Sequence, residues 1–305
     1  MTVITDVIHV ALLLLMPPLL LGVINKTKAR FAGRVGPPLL QNYYDLLRLM
    51  RKGAVFSETT TWVFRAGPIV TLASMFLAGL LMPMGAFEAP LHFTGDLILF
   101  AYLFGLARFF MTTAALDTGS PFEGMGAARE VTFACFSEPA LFLAFLVLAK
   151  LSGKLSLTPM LHFPITGHPT GLSVAAIALV AAGLFVVLLA ENSRIPIDDP
   201  NTHLELTMIH EVMVLDHSGP LFGLILYGAA LKLFVLSALV LHVIAPFQTG
   251  WAGLDWFLFV GQMIGIAALI GTVESTMARL QLRHVPTLLV AASLLCGFGF
   301  LLILR

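Results

Sequence analysis

Apolar runs long enough to cross a lipid bilayer recur along the whole of this 305-residue chain, and they decide what it can fold into. A bilayer's hydrocarbon core takes about 20 residues of helix. Eight runs fit: Val3–Ile24, Ile69–Phe87, Leu97–Leu116, Val131–Leu151, Leu172–Glu191, Leu221–Pro246, Leu254–Val273 and Thr287–Leu304. Within lipid only helices or closed barrels satisfy their backbone hydrogen bonds, and these runs are too long and too uniformly apolar for barrel strands. Charged residues make up 11% of the chain, against roughly 25% in soluble domains. The predicted fold is all-α: a polytopic bundle of about eight transmembrane helices, with an interfacial amphipathic helix and a short helix in an acidic loop.

Basic residues concentrate in alternate connections. Lys26, Lys28, Arg30, Arg34, Arg48, Arg51, Lys52 and Arg65 follow the first span, and Arg129, Arg194, Arg279 and Arg283 follow the third, fifth and seventh. The other side holds Lys150, Lys154 and Arg305. By the positive-inside rule the basic loops face the cytoplasm and both termini face outward. The first run lacks a preceding basic region and a small-residue cleavage site, so it reads as a retained span. With no long extramembrane segment, residues 1–305 read as one integral membrane domain. Lys+Arg and Asp+Glu balance at 17 each, which argues against nucleic acid as a partner. Cys135 and Cys296 stand alone in apolar stretches, and a cluster or structural zinc needs about four ligands. Any electron carriers are therefore expected on other chains.

Two inner segments are more than loops. In Pro38–Lys52, Leu39, Tyr43, Leu47 and Met50 share one helical face while Gln41, Asp45, Arg48 and Lys52 share the other. That is an amphipathic helix lying on the membrane surface, packed on headgroups or offered to a soluble subunit. Glu191–Pro220 is the most acidic stretch, with Glu191, Asp198, Asp199, Glu205, Glu211 and Asp216. Pro196 and Pro200 break the preceding helix, and Thr202 with Glu205 forms a capping box for a short helix. Leu204, Met208, Val212 and Leu215 give that helix an apolar face against the bundle. His203, His210 and His217 recur every seven residues, but His210-Glu211 lacks the second histidine of a zinc-protease motif, and no metal site is expected.

Charges inside spans need a reason, since each costs about 2.5–3.5 kcal/mol at a helix centre on insertion scales. Lys232 lies mid-way along the sixth span, Arg108 in the third, and Glu138 about two turns into the fourth. Glu130 and Glu191 sit at inner ends, and Glu274 closes the seventh span, where solvation alone would explain it. Pairing as bundle glue is one role for this set. Proton exchange through buried carboxylates is the other, and the excess of acids favours it.

Further motifs carry a resemblance. Lys28…Arg34-Val35-Gly36-Pro37…Gln41…Asp45-Leu46-Leu47-Arg48-Leu49, Ala107-Arg108-Phe109-Phe110, Leu116-Asp117-Thr118-Gly119-Ser120-Pro121-Phe122, Gly126-Ala127-Ala128-Arg129-Glu130, Glu138-Pro139 and Glu191-Asn192-Ser193-Arg194-Ile195-Pro196-Ile197-Asp198 together resemble the complex I membrane subunit known as ND one. They are most similar to its formate-hydrogenlyase and energy-converting hydrogenase branch, as are Glu274-Ser275 with Arg279-Leu280 and the run Gly228–Lys232. The family's Pro-Phe-Asp and Glu-Tyr-Ser-Gly are replaced here by Pro196-Ile197-Asp198 and Asp216-His217-Ser218-Gly219. Both changes remove an aromatic, so the resemblance supports an acidic path more firmly than a quinone pocket.

The resemblance implies a subunit that anchors a peripheral redox arm, within a group-four-type hydrogenase or formate-hydrogenlyase-like complex coupled to protons or sodium. It places Glu130, Glu138, Glu191, Asp198 and Glu205 on a proton path, and Asp199, Glu211, Asp216, Lys232, Arg108 and Asp117 are further candidates for that path. Arg34, Gln41, Asp45, Arg48, Arg129 and Arg194 would face partners. Those partners would be hydrogenase-like large and small subunits, an iron–sulfur subunit and antiporter-like membrane subunits. The nickel–iron centre and iron–sulfur clusters would sit on them, with none in this chain and quinone possible. The alternative is the quinone-site subunit of an NADH or ferredoxin:quinone oxidoreductase. A stand-alone transporter would show inverted repeats, and none is visible.

Overall fold

The computed structural model describes residues 2–166, 171–198 and 209–304. Among the described residues ten helices run α1 (Thr2–Phe31), α2 (Gln41–Met50), α3 (Trp62–Leu81), α4 (Asp96–Asp117), α5 (Pro121–Ser152), α6 (Leu157–Thr166), α7 (Gly171–Glu191), α8 (Gly219–Ile244), α9 (Ala252–Thr276) and α10 (Val285–Ile303), with 3-10 turns at Glu211–Val214 and Leu282–His284. All but α2 and α6 are long and apolar enough to span a membrane, which makes eight among the described residues. Several overrun the apolar stretches that signalled them. α1 continues through Asn25–Arg30, and α5 begins ten residues early, at Pro121, where a missing N–H costs nothing in the first turn.

α8 is the hub. It is apolar all round, and residues from Ala230 to Val243 are buried, Lys232 alone excepted. α3 and α7 pack on it, α9 closes against α1, and α10 lies between α5 and α7. Small residues set the close crossings. A Cβ at Gly183 would strike Cys296 Sγ and come within 3.1 Å of the Ala292 carbonyl, so α7 and α10 meet at backbone distance only because position 183 is glycine.

Pro17 and Pro18 lie inside α1 and leave the carbonyls of Leu13 and Leu14 without helical donors. Neighbouring helices make use of the break. Tyr227 of α8 donates its hydroxyl to the Leu14 carbonyl at 2.8 Å, Tyr43 donates to the Leu15 carbonyl, and Asn42 donates to the Pro18 carbonyl at 3.1 Å. The amphipathic helix expected over Pro38–Lys52 is α2, docked across this break with no residue fully buried.

The ten-residue α6 had no counterpart among the elements expected from sequence, because it is too short to register as a span. Buried Asp96, the first residue of α4, holds its start by accepting from Leu157 N at 2.7 Å and Ser156 Oγ at 2.8 Å. The short acidic-loop helix, its Thr202–Glu205 capping box and His203 lie outside the described residues. Glu211–Val214 is a single 3-10 turn with Val212, Met213 and Val214 buried, while Leu215, expected on the apolar face, is exposed.

Gly183→Leu is expected to wedge α7 from α10 and lower stability by about 1–3 kcal/mol, the usual cost of overpacking. Gly297→Ala, on the same pair of helices with open space around it, serves as the control. Thermal unfolding of the purified protein in detergent should show a clear drop for the first variant and almost none for the second.

Candidate functional site

Charges from four helices meet around Arg108 and Glu191. Arg108 of α4 directs Nη2 at both carboxylate oxygens of Glu191, at 2.7 and 2.8 Å. Its Nη1 bonds Glu138, and its Nε lies 3.6 Å from Glu130. Lys232 Nζ reaches the other side of Glu191 at 2.8 Å, and Ser137 Oγ donates to it at 2.7 Å. Helical spacing makes this possible. Glu130, Ser137 and Glu138 stand seven and eight residues apart on α5, hence on one face, while Glu191 ends α7 and Lys232 lies on the hub helix. Among the described residues, three carboxylates thus share two cations. The Glu191 side chain is 7% exposed and that of Glu138 45%, so the cluster runs from the interior of the bundle to its outer surface.

A second cluster lies beyond the end of α7. Glu274, whose side chain is wholly buried, forms an ion pair with Lys28 at 2.8 Å and accepts from Arg194 at 3.3 Å. This corrects the expectation of a solvated helix end. The cause is the close passage of α1 beside Gly271, where a Cβ would press on Thr27. Arg194, expected to face a partner, turns inward because Ser193 adopts φ +49° and folds the chain back after α7. Asp198 pairs with Arg279 at 3.0 Å and accepts from the Ile209 amide at 3.0 Å.

Both clusters line one chamber of about 620 Å³. Arg108, Glu130, Glu191 and Lys232 form one wall, and Arg194, Asp198, His210 and Glu211 another. Asn42 and Asp45 of α2 close the side, and Phe104, Met111, Phe222 and Ile225 supply apolar surface. His217, where the resemblance had a tyrosine, also lines it, its ring stacked on Phe64 at 3.9 Å and its Nε2 3.3 Å from the Phe64 carbonyl. Burial pushes the imidazoles of His210 and His217 below the ordinary histidine range. For His210, Lys232 adds to that push while Glu130, Asp198 and Glu191 oppose it.

The family model described as NADH dehydrogenase matches residues 4–304. The chain belongs to that family. It is 31% identical to formate hydrogenlyase subunit 4 of Escherichia coli (strain K12), over 98% of this chain and 96% of the relative. It is 32% identical to hydrogenase-4 component C of the same organism, over 91% and 89%. The fold superposes with a TM-score of 0.82 on a subunit of a membrane-bound sulfane sulfur reductase, an archaeal respiratory membrane complex, at 21% identity and 98% coverage of both chains. The resemblance to the complex I membrane subunit and its hydrogenase branch is thereby shown.

Within this family frame the remaining residues fall in three places. Glu211 and Asp45 line the chamber; Asp45 also accepts from Gln41 at 3.0 Å along α2. Arg34 and Arg48 are exposed, and Arg129 is half-buried on α5. Asp199 and Glu205 lie outside the described residues. Two expected path residues are not in the chamber lining. Asp117 caps α3, accepting from Thr61 N at 2.7 Å, Thr61 Oγ1 at 2.8 Å and Phe64 N at 3.3 Å. Asp216 is exposed, and its amide donates at 3.0 Å to Glu123, a wholly buried acid not singled out from sequence. Ser120 and Glu123 have the spacing of a capping box, which was the available signal, but the Ser120 side chain makes no cap and Glu123 anchors the loop instead. Among the described residues no group of three or more His, Cys, Asp or Glu is arranged to hold a metal.

Arg108→Leu takes one of its two cations from the buried Glu191 and is expected to cost about 3–5 kcal/mol. Arg108→Lys should recover little of it, since one ammonium cannot address three carboxylates as a guanidinium fork does. Asp117→Ala should cost about 1 kcal/mol, as loss of a helix cap. Thermal denaturation of the three variants orders them.

Proposed function

We propose that this chain is the membrane subunit of a multisubunit energy-converting hydrogenase or formate-hydrogenlyase-like complex, and that its buried charges couple electron transfer in a docked arm to movement of protons or sodium ions. One observation carries the proposal: three carboxylates and two cations from four helices share a single site that opens on the chamber at one end and on the membrane face of α5 at the other. Glue alone needs matched pairs. A surplus acid in a low-dielectric site, with cations able to change partner, gives a cluster whose protonation follows charge nearby. Reduction chemistry beside the chamber would add negative charge at its wall. Lys232 and Arg108 would then redistribute between that charge and their carboxylates, and the carboxylate left under-compensated would take a proton.

The half-exposed Glu138 marks the exit. A charge on the lipid face of a span is costly, so this face of α5 suits contact with another membrane subunit, of antiporter-like type, that continues the path. The exposed Arg34 and Arg48, with α2, suit a peripheral arm of hydrogenase-like large and small subunits and an iron–sulfur subunit, which would carry the nickel–iron centre and the clusters. By the charge bias of its loops, the chamber lies on the cytoplasmic side of the cell membrane and both termini on the other.

A second reading has its own support. The chamber's volume and apolar wall fall within the range of sites for amphipathic ligands, and the His217–Phe64 stack provides a flat surface where the family's aromatic is missing. Quinone reduction by the purified complex would favour this reading, and hydrogen evolution without quinone the first.

Glu191→Gln and Lys232→Met in the assembled complex, reconstituted into sealed vesicles, are expected to keep dye-linked electron transfer while ion uptake per electron falls at least about ten-fold, the lower part of what a positioned proton-transfer group contributes. Unchanged ion uptake in both variants, with all subunits still co-purifying, would reduce the cluster to structural glue.

A further inference from the structure

The two charge clusters face the same chamber, each held together by its own ion pairs. His210 lines this chamber with members of both clusters, and the charges of Glu130, Glu191 and Lys232 from the Arg108 cluster and of Asp198 from the other act on its ring. Building on the function proposed above, we propose that His210 is the proton-exchange group connecting the two clusters. It takes a proton when negative charge rises in the chamber and returns it when that charge falls.

Its placement is built in. The amide of the preceding residue, Ile209, donates to Asp198 at 3.0 Å, tying the segment to the second cluster. On the other side Gly126 lets the segment lie directly on α5, since a Cβ there would come within 3.0 Å of the Ile209 carbonyl and 3.2 Å of the Met213 amide. Gly126 is one helical turn before Glu130, so the segment crosses α5 one turn from that carboxylate, with which His210 lines the chamber. Buried Val212, Met213 and Val214 pin the turn after it.

The chemistry of the neighbours leaves this role to the imidazole. Glu191 accepts from Arg108, Lys232 and Ser137, and Asp198 from Arg279 and Ile209 N, so both carboxylates are already engaged. His217 is stacked on Phe64 with Nε2 turned to a backbone carbonyl. Burial lowers the His210 imidazole below the ordinary histidine range while the three acids around it favour its protonated form. In the transfer an N–H bond forms on the imidazole as an O–H bond of chamber water or a protonated carboxyl breaks, and the return step reverses it.

The test uses the complete complex in sealed vesicles, with dye-linked electron transfer and ion uptake measured separately. His210→Gln and His210→Ala should keep subunit association and electron transfer and lose at least about ten-fold in ion uptake per electron. Added imidazole should restore uptake in His210→Ala, and 4-methylimidazole, which is more basic, should move the restored pH profile upward. Full uptake in both variants overturns the proposal, as does a loss that neither imidazole repairs. Should these variants fail to assemble, Glu130→Gln decides: removing an acid that favours the imidazolium must shift the pH profile of uptake to lower pH, and an unmoved profile overturns the role. If Glu191→Gln abolishes uptake while His210→Gln does not, this inference fails and the function proposed above stands; if neither variant affects uptake, both fail.

Discussion

A guanidinium placed deep in a membrane-spanning bundle must find its counter-charges within the protein, because lipid supplies none. Arg108 meets that demand with carboxylates from α5 and α7, and Lys232 closes the arrangement from α8. Much of the architecture is tied to it. α5 has to present Glu130 and Glu138 on one face, α7 has to stop with Glu191 at the level of Arg108, and the hub helix has to carry one cation in an otherwise apolar run. Breaking such a site is expensive even where forming it gains little, since a charge left alone at low dielectric has nowhere to go. That asymmetry holds the four helices in register and keeps the site from drifting toward a simpler apolar packing.

The chamber arises from local backbone exceptions. Prolines interrupt α1 so that α2 can dock through Asn42 and Tyr43, and Gly22 clears room for the Leu39 backbone. Ser193 turns the chain after α7 and sends Arg194 inward to Glu274. Gly126 admits the His210 segment against α5. Each lets polar backbone or a charged side chain approach the bundle where regular helix packing would have excluded it, and together they leave a space walled by charge on one side and apolar side chains on the other. Irregular backbone at membrane depth is tolerable when it lines a cavity, and these segments do.

Spans were legible from hydropathy because about 20 apolar residues have no other stable environment, and the buried charges stood out for the same reason. Their ends were less so: α1, α5 and α9 run into polar sequence, where helix continuation depends on neighbours that hydropathy does not register. The amphipathic α2 appeared through its periodicity, whereas α6 had too few residues to signal itself. Glu274 and Arg194 read as solvated or partner-facing because a charge at a helix end has that option; only the approach of α1 removes it. Asp117 carries the family motif but is taken up by the Thr61 cap, a contact across 56 residues of sequence.

By itself, then, the sequence determined the all-helical membrane class, the number of spans, the charges inside them that needed compensation and the family to which they belong. Each of these is local or additive: burial in lipid depends on a residue's own transfer energy and that of its immediate neighbours. Tertiary structure alone decided which acid meets which base, which charges are structural and which share a chamber. Ion pairing depends on distances of a few ångströms between residues far apart in the chain, and those distances are set by the crossing of helices whose contact surfaces, glycines and prolines act together.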